Sequence, residues 1–296
     1  MLSFCVQPRG KYFGYTTAKR LRFYSFDLNS SDGTMMPCLK KLKIESVDTQ
    51  EQDVISGVWK MGFLKEDKVF MLLSNGLLAQ FAEISNEKKK VVIGTPFELD
   101  IPEITTGIDK LSINPDGDHV CLICSSNSVV ILSVSESNVS FLATVPKYNS
   151  RCTFVKFHPV HPYILIGYAD RQVRVFNFKT MKILLDYNVK KIAVLQPLHG
   201  GSWSPSGNSA IVYDIENVYM VVMQELEKGP KKKRKGPGGA FAEEIHSFTV
   251  RYPTCSYKNI AYANYMDDTE LLAIEVTPNS MLEKLPPKFA QRRFGM

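Results

Sequence analysis

The chain has 296 residues, of which 44% are hydrophobic and 22% charged, so it can bury a core and is not a disordered or fibrous protein. At this length we expect either two ordinary domains or one all-β barrel or propeller. No apolar run approaches the roughly 18 residues of a membrane span, so we expect no membrane partner, and no signal peptide is recognisable. Six scattered cysteines are too few for a disulfide scaffold and predict a reducing compartment.

The net charge of +6 arises from two short segments. Five of the 36 basic residues form the run 231–235, and four more lie in the last thirteen residues, which contain no acidic residue. Without these nine, 27 basic residues face 30 acidic ones. A broad nucleic-acid-binding face would need a basic body, whereas basic appendages indicate a targeting signal or contact with an acidic partner.

Six segments repeat one layout, in which an apolar strand, a short turn, a second strand, a polar turn and a third strand follow one another. In chain order they are residues 2–26, 54–84, 107–134, 152–178, 199–223 and 260–276. The first turns at Pro8-Arg9-Gly10 and is followed by a polar stretch, residues 27–37, that predicts a loop.

The turn prolines set the period of this repeat. Pro115 and Pro159 are 44 residues apart, and Pro159 and Pro205 are 46 apart, close to the period of about 40–45 residues of a four-stranded propeller blade. Short alternating strands at this spacing favour an all-β propeller over a sandwich, because each blade must stack its two apolar faces on its neighbours. No stretch has the periodicity of a long amphipathic helix.

Rings of the WD-repeat type commonly hold seven blades, and six repeats are recognisable here. We therefore expect an all-β fold, a WD-type β-propeller of six to seven blades, over residues 1–276. The seventh blade is either too divergent to recognise or supplied by chain outside this sequence.

Asp170 lies in the turn Ala-Asp-Arg-Gln of the most regular repeat, 152–178. In WD repeats an aspartate at this turn accepts hydrogen bonds that brace the hairpin before the third strand, and Phe176 stands where the tryptophan of the Trp-Asp pair is usual. We predict a structural, non-catalytic role for Asp170. The chain has no Trp-Asp and no Gly-His dipeptide, which makes it a divergent relative of these repeats.

A basic run lies in a predicted flexible insertion, residues 228–240, where Gly and Pro keep the chain extended and solvated. Like charges in a row repel one another, so folding alone gives no reason to keep them together. The run resembles a monopartite nuclear localisation signal, which predicts a nuclear import receptor as a partner. Contact with RNA phosphate and a plain solvated loop are the alternatives. Its residues are Pro230, Lys231, Lys232, Lys233, Arg234 and Lys235.

Cysteine and histidine pairs do not have the setting of a metal site. Cys121 and Cys124 lie in an apolar strand, where residues three apart face opposite sides, so we predict buried cysteines rather than a zinc or redox pair. His158 and His161 have no acidic or cysteine partner at ligand spacing. The motifs of hydrolases, nucleotide-binding loops and metalloproteases are absent from the sequence. We expect no catalytic residue, no cofactor and no metal, and therefore a scaffold rather than an enzyme.

The carboxyl end carries the most specific pattern. A predicted strand at residues 268–276 precedes a basic tail, residues 277–296, with a Leu-Pro-Pro, two arginines and a Phe-Gly. This ending resembles that of the cirhin family, WD-repeat subunits of the small-subunit processome, and His246-Ser247-Phe248 resembles the start of that family's last blade. The tail residues that we expect to contact a partner or RNA are Leu285, Pro286, Pro287, Lys288, Arg292, Arg293, Phe294 and Gly295.

The resemblance implies a specific function. Cirhin-like proteins belong to the UtpA subcomplex, which engages the 5′ external transcribed spacer of the ribosomal RNA precursor and supports its transcription and the maturation of 18S rRNA. It implies a nuclear, nucleolar scaffold whose partners are other WD-repeat processome subunits and, directly or through the complex, the precursor RNA. That family carries two propellers and this chain has room for about one, so it resembles the C-terminal half.

Two questions stay open at the level of sequence. The first is whether the tail binds a partner or packs against its own ring. In a tail that binds a partner, Leu285 and Phe294 would be apolar anchors, and the arginines would contact carboxylates or phosphates. The second is whether the chain serves the processome or is a WD-repeat interaction module in another nuclear complex.

Overall fold

The structure, a computed structural model, describes residues 3–17, 20–31, 34–46, 57–65, 67–73, 78–101, 107–135, 138–189, 196–225, 246–251 and 259–276. Within these ranges every regular element is a β-strand, and the same ranges contain no helix long and apolar enough to cross a membrane. The chain divides into two compact units, Met1–Asn149 and Ser150–Met296.

The described residues of the first unit form three β-sheets. The first sheet comprises β1 (Ser3–Val6), β2 (Tyr12–Thr17), β3 (Arg20–Ser31) and β4 (Thr34–Lys41). The second sheet comprises β5 (Lys43–Ser46), β6 (Val58–Phe63), β7 (Lys68–Leu73), β8 (Leu78–Ser85), β9 (Lys90–Ile93) and β10 (Phe97–Glu98). The third sheet comprises β11 (Ile108–Ile113), β12 (His119–Cys124), β13 (Val129–Val134) and β14 (Val139–Thr144). The first and third are antiparallel meanders, while in the second β5 pairs in parallel with β9.

In the second unit, the part of the chain that the structure describes also forms three sheets. The fourth sheet comprises β15 (Cys152–Phe157), β16 (Tyr163–Tyr168), β17 (Gln172–Asn177) and β18 (Lys182–Asn188). The fifth sheet comprises β19 (Gly200–Trp203), β20 (Ser209–Tyr213), β21 (Val218–Glu225) and β22 (His246–Arg251). The sixth sheet comprises β23 (Ile260–Tyr265) and β24 (Leu271–Glu275). All three pair in antiparallel order along the chain.

Within each unit, successive sheets stack through both faces of their central strands. Because alternate residues of a strand face opposite sides, Val69 and Met71 of β7 join the core shared with the first sheet, whereas Phe70 and Leu72 join the core shared with the third. In the second unit, β20 divides its side chains in the same way between the fourth and sixth sheets. Each fully buried large apolar side chain contributes about 1.5–3 kcal/mol to this stacking.

Glycine closes the turns between the first two strands of the third and fifth sheets. Gly117 and Gly207 have φ of +72° and +81°, and each donates a backbone hydrogen bond to the residue three positions earlier. A Cβ atom on Gly117 would lie 1.8 Å from the carbonyl oxygen of Leu64, and one on Gly207 would lie 2.3 Å from Cε1 of His158. These positions therefore combine a left-handed backbone with close contact to the neighbouring sheet, which only glycine permits.

The prediction of an all-β chain built from repeated antiparallel sheets is confirmed for the described residues, and the four-stranded meanders are consistent with propeller blades. Closure of these sheets into a WD-type propeller over residues 1–276 stays a prediction.

The prediction of a loop at residues 27–37 is wrong. Here β3 and β4 form one long hairpin, in which Asp27 pairs with Cys38 and Ser31 with Thr34. Backbone pairing does not require apolar side chains, so a polar composition alone did not distinguish this hairpin from a loop. Pro37 is tolerated because β4 is the edge strand of its sheet.

Candidate functional site

The turn that contains Asp170 connects β16 to β17 and forms hydrogen bonds to residues next to the first strand and in the last strand of the fourth sheet. The Asp170 carboxylate accepts a hydrogen bond from the backbone N–H of Gln172 at 3.3 Å. Its own N–H donates to Oγ of Ser150 at 3.1 Å, and its carbonyl oxygen accepts from Nδ2 of Asn188 at 3.2 Å. These contacts join the turn to the segments that precede β15 and end β18.

Arg171, the next residue, points away from its own sheet and toward the fifth. Its backbone has a φ of +70°, and its guanidinium lies against the hairpin between β20 and β21. Nη2 lies 3.2 Å from Oδ2 of Asp214 and also donates a hydrogen bond to the hydroxyl of Tyr219. The side chains of Arg171 and Asp214 are only 7% and 2% exposed, so this ion pair is a buried link between two sheets.

Asp214 accepts the hydrogen bonds that hold the hairpin between β20 and β21 in place. Its Oδ2 also accepts from the Tyr219 hydroxyl at 3.0 Å. Its Oδ1 accepts from the backbone N–H groups of Glu216 and Asn217, at 2.8 and 2.7 Å. Burial, reinforced by the charge of Asp214, raises the pKa of Tyr219 to about 12, so the hydroxyl keeps its proton and serves as a donor.

Sequence reasoning singled out the exposed Asp170 and missed the buried Asp214. The signal was present, because Asp214 directly follows an apolar strand and precedes Asn217 in the repeat at 199–223. An aspartate followed within a few residues by asparagine is typical of a turn whose backbone N–H groups bind a side-chain oxygen.

A second polar cluster in this unit brings three histidines together. The ring centroids of His158 and His161 are 4.8 Å apart, and those of His161 and His246 are 4.6 Å apart. Nδ1 of His246 lies 2.8 Å from the hydroxyl of Tyr163. His246 begins β22, immediately after the chain segment that contains the basic run.

Both ring nitrogens of His158 form hydrogen bonds with backbone groups. Nδ1 accepts from the N–H groups of Val160 and His161 at 3.0 and 2.9 Å, which places the proton on Nε2, 3.1 Å from the carbonyl oxygen of Gly207. Burial lowers the pKa of His158 to about 4, and the neighbouring His161 acts in the same direction. A neutral His158 with both nitrogens occupied is a structural residue and has no lone pair left for a metal.

The described residues contain no group of three or more His, Cys, Asp or Glu side chains that could hold a metal ion. Cys121 and Cys124 are buried, as predicted. The polar groups of the second unit thus hold the turns of neighbouring sheets in fixed positions, and their hydrogen-bonding capacity is largely directed inward.

The remaining predicted site residues lie outside the described residues. They are Pro230, Lys231, Lys232, Lys233, Arg234 and Lys235 of the basic run and Leu285, Pro286, Pro287, Lys288, Arg292, Arg293, Phe294 and Gly295 of the tail.

Comparison with known proteins does not place the chain in a family. No protein-family model matches the chain, and no curated protein matches it either.

Proposed function

We propose that the chain is a non-catalytic scaffold subunit of the nucleolar small-subunit processome, and that it supports transcription of the ribosomal RNA precursor and maturation of 18S rRNA. The observation that carries this proposal is the carboxyl-terminal pattern from Leu271 to Gly295, with its resemblance to the cirhin family. The repeated antiparallel sheets support it, because they are consistent with the WD-type blades of that family.

The two polar networks fit a scaffold. Arg171, Asp214 and Tyr219 link one pair of sheets through buried hydrogen bonds. A protein whose surfaces are held in place in this way loses little conformational entropy when partners bind. In this proposal the partners are other WD-repeat subunits of the UtpA type, the 5′ external transcribed spacer of the precursor RNA and a nuclear import receptor that binds residues 230–235.

A pull-down of the tagged chain from nuclear extract tests the proposal. The eluate is probed for the 5′ end of the precursor RNA and for co-purifying proteins, and an unrelated tagged β-protein carrying the run 230–235 is the control. We expect precursor RNA and WD-rich subunits with the chain and neither with the control. A clean complex without precursor RNA would favour the alternative, a WD-repeat interaction module in another nuclear complex.

A further inference from the structure

The outward face of the first sheet carries aromatic rings beside basic side chains. Register places Phe13 opposite Tyr24 and Tyr15 opposite Arg22. The rings of Phe13 and Tyr24 are stacked with centroids 5.1 Å apart, and those of Tyr15 and Tyr24 with centroids 6.1 Å apart. Phe4 of β1 is 50% exposed and extends this row of rings, with its centroid 6.0 Å from that of Phe13.

Basic residues border the same rings and line a groove of about 420 Å³. The groove lies where β3 begins and β4 passes into β5, and Leu42 and Ile44 contribute to its apolar lining. Its cationic residues are Arg20, Arg22, Lys41 and Lys43. We call the groove together with the rings of Phe13, Tyr15 and Tyr24 the basic-aromatic face.

Three of these four cations have no carboxylate partner among the described residues. Lys43 lies 3.3 Å from Glu45, which also pairs with Lys90. The ion pairs between described residues do not involve Arg20, Arg22 or Lys41. The basic-aromatic face therefore presents positive charge that no carboxylate of the described residues neutralises.

Arg22 is held among the rings. Its Nη1 lies 3.4 Å from the hydroxyl of Tyr15. Hydrogen bonding from Arg22 lowers the pKa of Tyr24, and the hydrogen bond with Tyr15 and the charge of Lys41 act in the same direction. The guanidinium thus lies beside aromatic rings that remain partly exposed, which is the local arrangement that binds a phosphate next to a stacked base.

Sheets that are covered by a neighbour look different. In the second sheet, which is covered on both faces, Val69, Phe70, Met71 and Leu72 of β7 are all buried and apolar. In the first sheet, the outward positions of β3 are Arg20, Arg22, Tyr24 and Phe26, none of which is fully buried. Charged residues are depleted from the cores of protein interfaces, so this face is better matched to a polyanion than to another apolar sheet.

We infer that the basic-aromatic face binds single-stranded RNA, with Arg20, Arg22 and Lys41 contacting phosphates and the ring of Tyr15 stacking on a base. A single strand is required because only unpaired bases present their faces to aromatic side chains. The inference rests on the proposed function for the identity of the RNA in the cell, the ribosomal RNA precursor.

Fluorescence anisotropy with the purified full chain and a labelled oligouridine of about 12 nucleotides tests this inference. The double variant Arg22→Gln/Lys41→Gln removes two phosphate contacts. Because each contact to a single strand contributes about 0.7 to the slope of log K against log salt, the slope falls by about 1.4, and binding weakens roughly 25-fold at about 0.1 M salt. Tyr15→Leu keeps apolar bulk but removes stacking, and weakens binding roughly 5- to 150-fold.

Controls separate this face from the basic run. Lys147→Gln/Lys179→Gln makes the same charge change at two exposed positions outside the groove and is expected to leave affinity and slope nearly unchanged. All variants are repeated in a chain whose residues 231–235 are replaced by glutamine, so that RNA contact by the basic run does not mask the groove. Circular dichroism melting confirms that each variant is folded.

The outcomes distinguish the two proposals. Equal affinity of the groove variants and the control variant overturns the inference, whatever the pull-down recovers. Normal oligouridine binding by the groove variants together with loss of a co-purifying protein also overturns it and assigns the face to a protein. Groove-dependent binding without precursor RNA in the pull-down supports the RNA-binding face and refutes the proposed role in the processome.

Discussion

Replacement of Asp214 tests whether the second unit depends on its buried ion pair. The residue is 1% exposed and holds one carboxylate oxygen against Arg171 and Tyr219 and the other against two backbone N–H groups. In Asp214→Ala, the buried Arg171 loses this carboxylate. Removing one partner of a buried pair lowers the free energy of unfolding by about 3–5 kcal/mol.

Two milder variants separate charge from turn geometry. Asp214→Asn keeps an oxygen that can accept from Glu216 and Asn217 and removes the charge, so we expect a loss of about 1.5–3 kcal/mol. Arg171→Met leaves the carboxylate with its remaining donors, and we expect a similar loss. Because the double variant Arg171→Met/Asp214→Asn removes both charges of this pair, its loss should be smaller than the sum of the two single losses by about 1–3 kcal/mol.

Urea unfolding followed by tryptophan fluorescence measures these losses. The chain has two tryptophans, Trp59 in the first unit and Trp203 in the second. In a Trp59→Phe background, the signal of Trp203 reports the unit that contains the ion pair. The matched control is Asp186→Asn, since Asp186 pairs with Arg174 at 3.0 Å but its side chain is 45% exposed. We expect the control to lose at most about 1 kcal/mol.

Burial is the physical reason for the expected difference between the two aspartates. If Asp214→Asn destabilises the second unit no more than Asp186→Asn does, burial does not set the strength of this pair and the reasoning is refuted. Strict additivity in the Arg171→Met/Asp214→Asn double variant would contradict the direct coupling of the two charges.

Three further predictions concern the basic run, the tail and the histidine cluster. Replacement of residues 231–235 by glutamine should reduce nuclear accumulation of a fluorescent fusion, because an import receptor reads the clustered charge. Deletion of residues 285–296 should weaken recovery of partner proteins while the cooperative thermal transition is retained. Lowering the pH from about 7 to 5 should reduce the free energy of unfolding by about 2 kcal/mol through His158. The pKa of His158 falls from 6.5 to about 4 on folding, so the unfolded chain binds the proton at a higher pH than the folded chain does.

Each of these has a control and a contrary outcome. Glutamine at Lys88, Lys89 and Lys147, three exposed lysines elsewhere, should leave nuclear accumulation intact. Equal nuclear accumulation of this control variant and the variant of residues 231–235 would refute the assignment of a localisation signal to the basic run. Loss of the thermal transition in the tail deletion would show that the tail stabilises the fold rather than binding a partner. His158→Asn keeps an acceptor for the backbone but does not titrate, so a pH slope equal to that of the wild type would exclude His158 as its source.

The local elements of the fold were largely predictable. Apolar alternation and turn residues identified the strands of the repeats at 107–134 and 152–178, since the pattern of burial along a strand is recorded in its residues. The hairpin of β3 and β4 was missed because its pairing lies in the backbone and its side chains are polar.

The candidate site was predicted only in part. Asp170 and its turn followed from the repeat, but the partner of Arg171 lies 43 positions away and that of His246 lies 83 positions away. No local spacing encodes which of several hairpin aspartates or histidines will meet across two sheets. Likewise, the charge balance of the sequence argued against a basic face, because acidic residues elsewhere offset the cations of the first sheet.

The sequence by itself determined the all-β class, the strand-and-turn repeat and the confinement of the most concentrated charge to residues 231–235 and the tail. These are properties of neighbouring residues, and neighbouring residues are what periodicity and composition report. Only the tertiary structure decided that Arg171 and Asp214 form a buried pair, that three histidines lie close together, and that Arg20, Arg22 and Lys41 gather beside aromatic rings. The physical reason is that contacts between strands depend on register and sheet packing, which bring together residues that are distant in the chain.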